Sequence, residues 1–248
     1  MYICIMNDMA ESVVENCLLP YMLTRDRVAL SSTTRCLRRI LYVRCIHDLP
    51  FTVYSKHLDQ VRNLTNLRSL RLHGVDDDGV LCVTSLCQLS DLRLGWCSRL
   101  TDDGLTHLSR MTSLTSLHIT SCVEIGSLGI RRICGLVNLI SLQLYDCNVG
   151  FNGLEHISRL ANLSSLGLGF CHVDNNELKH LSGLTELTEL DVRFCNVSDD
   201  GLKHLSYLTK LTSLNLCGCK IGRPGLKHLT NLQHLHPVKL CSCYRVGI

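Results

Sequence analysis

Seven cysteines stand in file along this chain. Cys97, Cys122, Cys147, Cys171, Cys195, Cys219 and Cys243 follow one another at steps of 25, 25, 24, 24, 24 and 24 residues. Thiols in such number serve as disulfides, metal ligands or redox groups. Cys217-x-Cys219 and Cys241-x-Cys243 have the look of paired zinc half-sites, again 24 apart. On a strand, however, alternate residues face opposite sides, so these four sulfurs do not converge and no metal site is predicted. Histidines keep the same beat at His156, His180, His204 and His228. On helices packed roughly 8–10 Å apart, two imidazoles are too distant to share a metal, so a partly exposed structural row is expected. There is no phosphate-binding glycine loop and no distinctive Ser/His/Asp arrangement. No catalytic, cofactor-binding or metal residue is assigned, and the chain is not expected to be an enzyme.

The elements that carry the cysteines are written in the leucines. L-x-x-L-x-L-x-x-C recurs with first leucines at Leu89, Leu114, Leu139, Leu163, Leu187, Leu211 and Leu235. The longer copies read C-x-x-[LI] and the shorter ones C-x-[VI], so the extra residue lies just after the cysteine. An earlier copy starts at Leu67, and its Val75–Gly79 aligns with Val197–Gly201; its turn is two residues shorter and lacks the ladder cysteine. Eight copies at this period have the pattern of leucine-rich repeats. In each, the alternating x-L-x-L-x stretch (Leu89–Leu94 and its equivalents) reads as a short strand with leucines inward. Ser/Thr-Asp-Asp-Gly-Leu then opens a helical segment, with Thr101 or Ser198 as the cap and acids at the helix start. Leu202, Leu205 and Leu208 give that segment an inward stripe. One copy cannot bury its own leucines, whereas stacked copies bury a continuous core. The predicted fold is therefore α/β: a right-handed leucine-rich-repeat solenoid, or horseshoe, over residues 51–248, with the last repeat incomplete. A small thiol that tolerates burial fits the inner turn, so reduced, buried rungs are expected rather than disulfides.

Composition narrows the function. The 248 residues are 46% hydrophobic and 5% aromatic, and the net charge is +3. That charge is too mild for a nucleic-acid or membrane surface. No apolar run reaches the length of a membrane span, and the opening MYICIMNDMAE has no basic n-region, so a cytoplasmic or nuclear protein is expected. The concave sheet face is the expected place for a protein partner. It carries Arg71, Arg93, Trp96, His118 and Tyr145, then Phe170, Asp191, Arg193 and Phe194. Trp, Tyr and Arg are the residues that tend to anchor interfaces. Trp96, Phe170 and Phe194 stand just before their cysteines, where they either face a partner or pack inside.

The first fifty residues do not repeat. Residues 10–41 have helical apolar spacing and a basic end, and HDLPFTV reads as a connector. Tyr21-Met22, Asp26, Leu30, Thr34-Arg35, Leu37 and Arg38-Arg39-Ile40 follow the spacing of an F-box without a gap, although Ala10-Glu11 replaces the usual Leu-Pro and Pro20 falls near the end of the first helix. With the repeats, the chain resembles F-box proteins carrying cysteine-containing leucine-rich repeats. The resemblance implies that a helical segment over residues 1–50 docks a Skp-type adaptor of a cullin ubiquitin ligase through Tyr21, Met22, Asp26, Leu30 and Leu37. It also implies that the repeats hold a protein substrate. Leu37, Ile40, Tyr42 and Cys45 alternatively reproduce the repeat spacing, which would make residues 36–45 a capping strand. The repeats also resemble trypanosome-type leucine-rich repeat proteins, some described as adenylate cyclase regulators, in which case this segment only caps the solenoid. At the other end, the copy starting at Leu235 stops before a helical segment closes it. An open edge blunted by Pro237 is expected there, one that frays, meets a partner, or marks a chain cut short.

Overall fold

The computed structural model describes residues 48–54, 58–61, 64–150 and 152–243. Among the described residues, nine strands form one sheet in sequence order, every neighbouring pair parallel. They are β1 Asp48–Tyr54, β2 Ser69–His73, β3 Asp91–Gly95, β4 Ser116–Thr120, β5 Ser141–Tyr145, β6 Ser165–Gly167, β7 Glu189–Asp191, β8 Ser213–Asn215 and β9 Val238–Lys239. Register follows the leucines. Leu70, Leu92, Leu117, Leu142, Leu166, Leu190 and Leu214 are successive partners across the sheet. A slip of one residue would turn this row to solvent, so burial fixes the pairing. Each strand connects through a short helix on the far side, which makes the coil a right-handed solenoid. The residues read as a connector instead form β1. Their DLPFTVY run pairs with β2 through a register shift between Asp48 and Thr52, where the strand carries Pro50. The adaptor-docking residues Tyr21, Met22, Asp26, Leu30 and Leu37 lie outside the described residues.

The helices carry the expected stripe. Leu202, Leu205 and Leu208 are buried, as are Leu105, Leu108 and Ile130, Ile133 in earlier copies. Burying each such side chain stabilises by roughly 1.5–3 kcal/mol, which isolated four- to seven-residue helices could not supply by propensity. The segments Asp77–Val83, Asp102–Leu108 and Ser127–Ile133 are α-helical throughout. From Asn175 onward, one α-turn passes into a 3₁₀ turn, as in Asp199–Leu202 followed by Lys203–Leu205.

The helix starts are tied between copies rather than only within them. Thr101 caps its own helix by accepting from the Asp103 amide at 3.2 Å, as predicted. Ser198 makes no such cap; its hydroxyl accepts from Asn175 Nδ2 at 2.8 Å. The first helical residue of one copy holds the cap residue of the next. Asp77 Oδ1 accepts from the Thr101 amide, Asp102 Oδ1 from the Gly126 amide, and Asp199 Oδ1 from the Gly222 amide, at 2.7–2.8 Å. The amide Asn175 does the same for Ser198 at 2.9 Å. Gly201 is small because that Asn175 oxygen lies against it: an added Cβ would stand 2.6 Å from it. Midway, Ser127 is too short for this reach, and the buried Glu177 works backwards onto the Asn152 amide at 3.0 Å.

Candidate functional site

The inner turn is where the cysteines sit. Cys97, Cys122, Cys147, Cys171, Cys195 and Cys219 are buried and Cys243 is half-buried, all as free thiols. From the third rung on, each thiol donates to a carbonyl of the preceding copy, beginning with Cys147 to Ile119 O at 3.6 Å. Cys171 reaches Leu144 O at 2.9 Å, Cys195 reaches Leu168 O at 3.1 Å, and Cys219 reaches Val192 O at 3.2 Å. Cys97 and Cys122 donate to Gly95 O and Thr120 O in their own turns. Burial pushes the Cys147 and Cys219 thiols up to about 11 and Cys195 up to about 12. These are structural rungs that keep their protons, not nucleophiles. His156, His180 and His204 are half-buried and His228 is exposed, a row on the helical side as expected. Among the described residues, no group of three or more His, Cys, Asp or Glu side chains is placed to hold a metal ion.

The residue before each ladder cysteine, and Gly74 at the aligned position of the first copy, turns the chain through the left-handed region. Gly74, Trp96, Ser121, Asp146, Phe170, Phe194, Gly218 and Ser242 have φ between 49° and 74°. Their amides still extend the sheet ladder: Trp96 donates to Thr120 O, Phe170 to Arg193 O and Phe194 to Cys217 O, at 2.8–2.9 Å. For a bulky side chain this conformation costs on the order of 1 kcal/mol. It also decides between the two readings of the aromatics. The turn sends the cysteine in and the preceding side chain out. Trp96 is 67% exposed, and Phe170 and Phe194 are each 50% exposed. They form a rim along the carboxyl ends of the strands.

Two clusters result. At one end, the Trp96 ring meets His73 edge-on, with centroids 5.0 Å apart. At the other, Phe170 and Phe194 stack at 4.5 Å. The second cluster runs into the concave face through Arg193, whose guanidinium lies over the Tyr145 ring at 5.0 Å and toward Phe170 at 6.0 Å. Asp191 holds this arrangement. It accepts from the Arg193 amide at 3.0 Å and from Asn215 Nδ2 at 3.1 Å, and it pairs with Arg193 Nε at 3.7 Å. Tyr145 donates to Gln143 Oε1 at 2.9 Å, and Gln143 Nε2 donates to Ser165 Oγ at 2.9 Å. Burial, then the Asp191 charge, push the Tyr145 phenol up to about 12, so it stays a neutral donor. These side chains bridge β5 to β7 across β6, whose Gly167 presents no side chain between them. A Cβ on Gly167 would collide with Gln143 Oε1 and the Tyr145 hydroxyl, and one on Gly169 would come within 2.9 Å of the Arg193 chain.

The amino-terminal half of the concave face is organised separately. Asp91 accepts from Ser69 Oγ, Ser116 Oγ and Arg93 Nε at 3.0–3.3 Å, clamping three strands. Arg71 is exposed and Arg93 and His118 are half-buried in one column. Burial, then the Arg93 charge, hold His118 below its ordinary value; Asp91 opposes this and Arg71 adds to it. All nine predicted concave residues thus lie on the sheet face or its rim. Tyr145, Phe170, Asp191, Arg193 and Phe194 come together, Trp96 stands apart with His73, and Arg71, Arg93 and His118 form the third group. Sequence reasoning missed Gly169, Asp91 and Ser165 as organisers. It also missed the left-handed row, for which Gly74, Asp146 and Gly218 at the aligned position were a usable signal.

Residues 110–134, 184–206 and 207–229 match the Leucine Rich repeat family. The solved structure of internalin C2 from Listeria monocytogenes is similar, with a TM-score of 0.61 and 20% identity, over 87% of this chain and 90% of that one. A second internalin of the same organism (inlF) is 21% identical over 77% of this chain and 65% of its own, with a TM-score of 0.46. The likeness to internalin C2 is one of fold. No curated protein sequence matches the chain.

Proposed function

We propose that this leucine-rich-repeat solenoid is a protein-binding scaffold that holds its partner on the concave face and the aromatic rim. One observation carries the reading. Trp96, Phe170 and Phe194 are large, exposed and held in a backbone conformation that smaller residues occupy more cheaply. Beside them, Tyr145, Gln143, Asp191 and Arg193 are fixed in place by one another before any partner arrives. Rigid aromatic and arginine side chains in such a setting anchor interfaces with little entropy left to lose. Capture of partners by the intact chain tests it. Trp96→Ala and Arg193→Glu each weaken capture, whereas His204→Ala on the helical side leaves it unchanged. Loss of capture on changing His204, with the two rim variants unaffected, would place the interface on the other side.

A more specific reading rests on the residue pattern over 10–41. In it the scaffold is the substrate-recognition subunit of a cullin-type ubiquitin ligase, and the amino-terminal segment docks a Skp-type adaptor. The scaffold then raises the local concentration of substrate near the transfer machinery without doing chemistry itself. Tyr21→Glu with Leu30→Glu abolishes binding of a purified Skp-type adaptor on this reading, with the repeats still folded. If the intact chain does not bind the adaptor, the segment is a cap and the protein is a scaffold or regulator of another kind. Truncation should begin after residue 47, so that β1 stays on the sheet.

A further inference from the structure

Two cysteines of the concave face have no part in the inner ladder. Earlier rungs of their strand column hold His73, Thr120, Tyr145 and Arg193; the last two hold Cys217 and Cys241. The inner Cys219 and Cys243 spend their S–H groups on Val192 O and Leu216 O. Cys217 instead accepts a hydrogen bond from the Cys241 amide at 3.1 Å. Leu216 donates to Lys239 O at 2.9 Å and Gly218 to Cys241 O at 2.8 Å, so the ladder holds the pair side by side. Strands so paired lie about 4.8 Å apart, within the ordinary Cα separation of a disulfide. Cys241 is exposed and Cys217 half-buried, so an oxidant in solution meets Cys241 first. The strand they would secure is weakly held. β9 has two residues, and Val238 and Leu240 are only partly covered.

We infer that Cys217 and Cys241 form a redox-responsive dithiol, which a peroxide or a small disulfide closes into a disulfide that fastens β9 to β8. With hydrogen peroxide, the Cys241 sulfur attacks one peroxide oxygen. The O–O bond breaks, leaving a sulfenic acid on Cys241 and one water. The Cys217 sulfur then attacks the sulfenic sulfur. The S–S bond forms, the S–O bond breaks, and the departing hydroxide leaves as water with the Cys217 proton. Two thiols lose two electrons and one peroxide becomes two waters. A small disulfide gives the same bond by exchange, releasing two small thiols. The inference is independent of which partner the rim binds.

The test uses the intact, reduced chain, treated with hydrogen peroxide, blocked with N-ethylmaleimide, digested with trypsin and analysed by mass spectrometry. Lys220 and Lys239 place the two cysteines on separate peptides, which also carry Cys219 and Cys243, so fragmentation of the joined peptides locates the bonded sulfurs. The expected product is those peptides joined with the loss of two hydrogens, formed before Cys171, Cys195 or Cys219 is modified, and reversed by dithiothreitol. In the oxidised protein, amide exchange over residues 238–243 slows roughly tenfold, since covalent closure suppresses local opening. Cys217→Ser leaves Cys241 without a resolving thiol, so it proceeds to the sulfinic acid. Cys241 over-oxidised or bonded to another cysteine in the unmodified chain, with Cys217 left free, overturns the pairing. A Cys217–Cys241 link that leaves exchange unchanged overturns the fastening.

Discussion

At the scale of single residues, the molecule separates thiols by the hydrogen bonds they make. From Cys147 to Cys219 the ladder cysteines donate to backbone carbonyls and burial pushes their thiols up, whereas Cys87 and Cys241 are exposed. Among the described residues, brief N-ethylmaleimide treatment of the native protein should therefore label Cys87 and Cys241 and spare Cys147, Cys171, Cys195 and Cys219. Denaturant should release the rest. Early labelling of Cys195 in the folded state would contradict the assigned role. His118 gives a pH prediction. Its folded value lies below the ordinary 6.5, so the unfolded chain takes up the proton first. The contribution is intact above about 6.5 and is lost as pH falls from there toward the folded value. Urea unfolding at stepped pH should show this decline, and His118→Gln should lessen it. The spacing of the cysteines made their burial legible in advance. The outward turn of Trp96, Phe170 and Phe194 was not, because aromatic residues seldom take positive φ and local preference argued for neither side.

At the scale of elements, the joint between copies is a carboxylate or amide reaching one repeat ahead, onto the next helix start. Asp199→Ala removes the bond to the Gly222 amide and should lower stability by about 1 kcal/mol. Gly201→Ala forces a Cβ toward Asn175 and Leu178 and should lower it by about 1–3 kcal/mol. Because the backbone ladder of each copy runs to its immediate neighbours, exchange should quicken first in the two copies flanking the change. Uniform quickening along the whole chain would mean the repeats are not coupled in this way. The Ser/Thr-Asp-Asp-Gly run was readable as a helix start, and the acids were read as dipole partners. Their inter-repeat reach was hidden, since it depends on where the neighbouring copy stacks rather than on the local run. The same gap explains β1. DLPFTVY alternates poorly and carries a proline, and it becomes a strand by pairing on the exposed edge of β2.

At the scale of the whole molecule, the period alone was enough to specify a parallel solenoid. The leucine register, the helical stripe and the thiol rungs all repeat at the same interval, so local and global preferences agree. A repeat pattern says nothing about what the open face holds; that lies in the side chains that break the pattern. These are the aromatic rim, the Arg193 bridge and the two glycines beneath it. The account stands on that face being the binding surface. Site-specific photo-cross-linking tests it most directly, with the reactive side chain placed at Phe170 on the rim or at the more open Tyr207 on the helical side. In a cell extract, the position-170 probe should give adducts that excess unlabelled chain competes away and that the Arg193→Glu chain does not. The position-207 probe should give none that compete. Competed adducts from position 207, with none from position 170, would contradict the account.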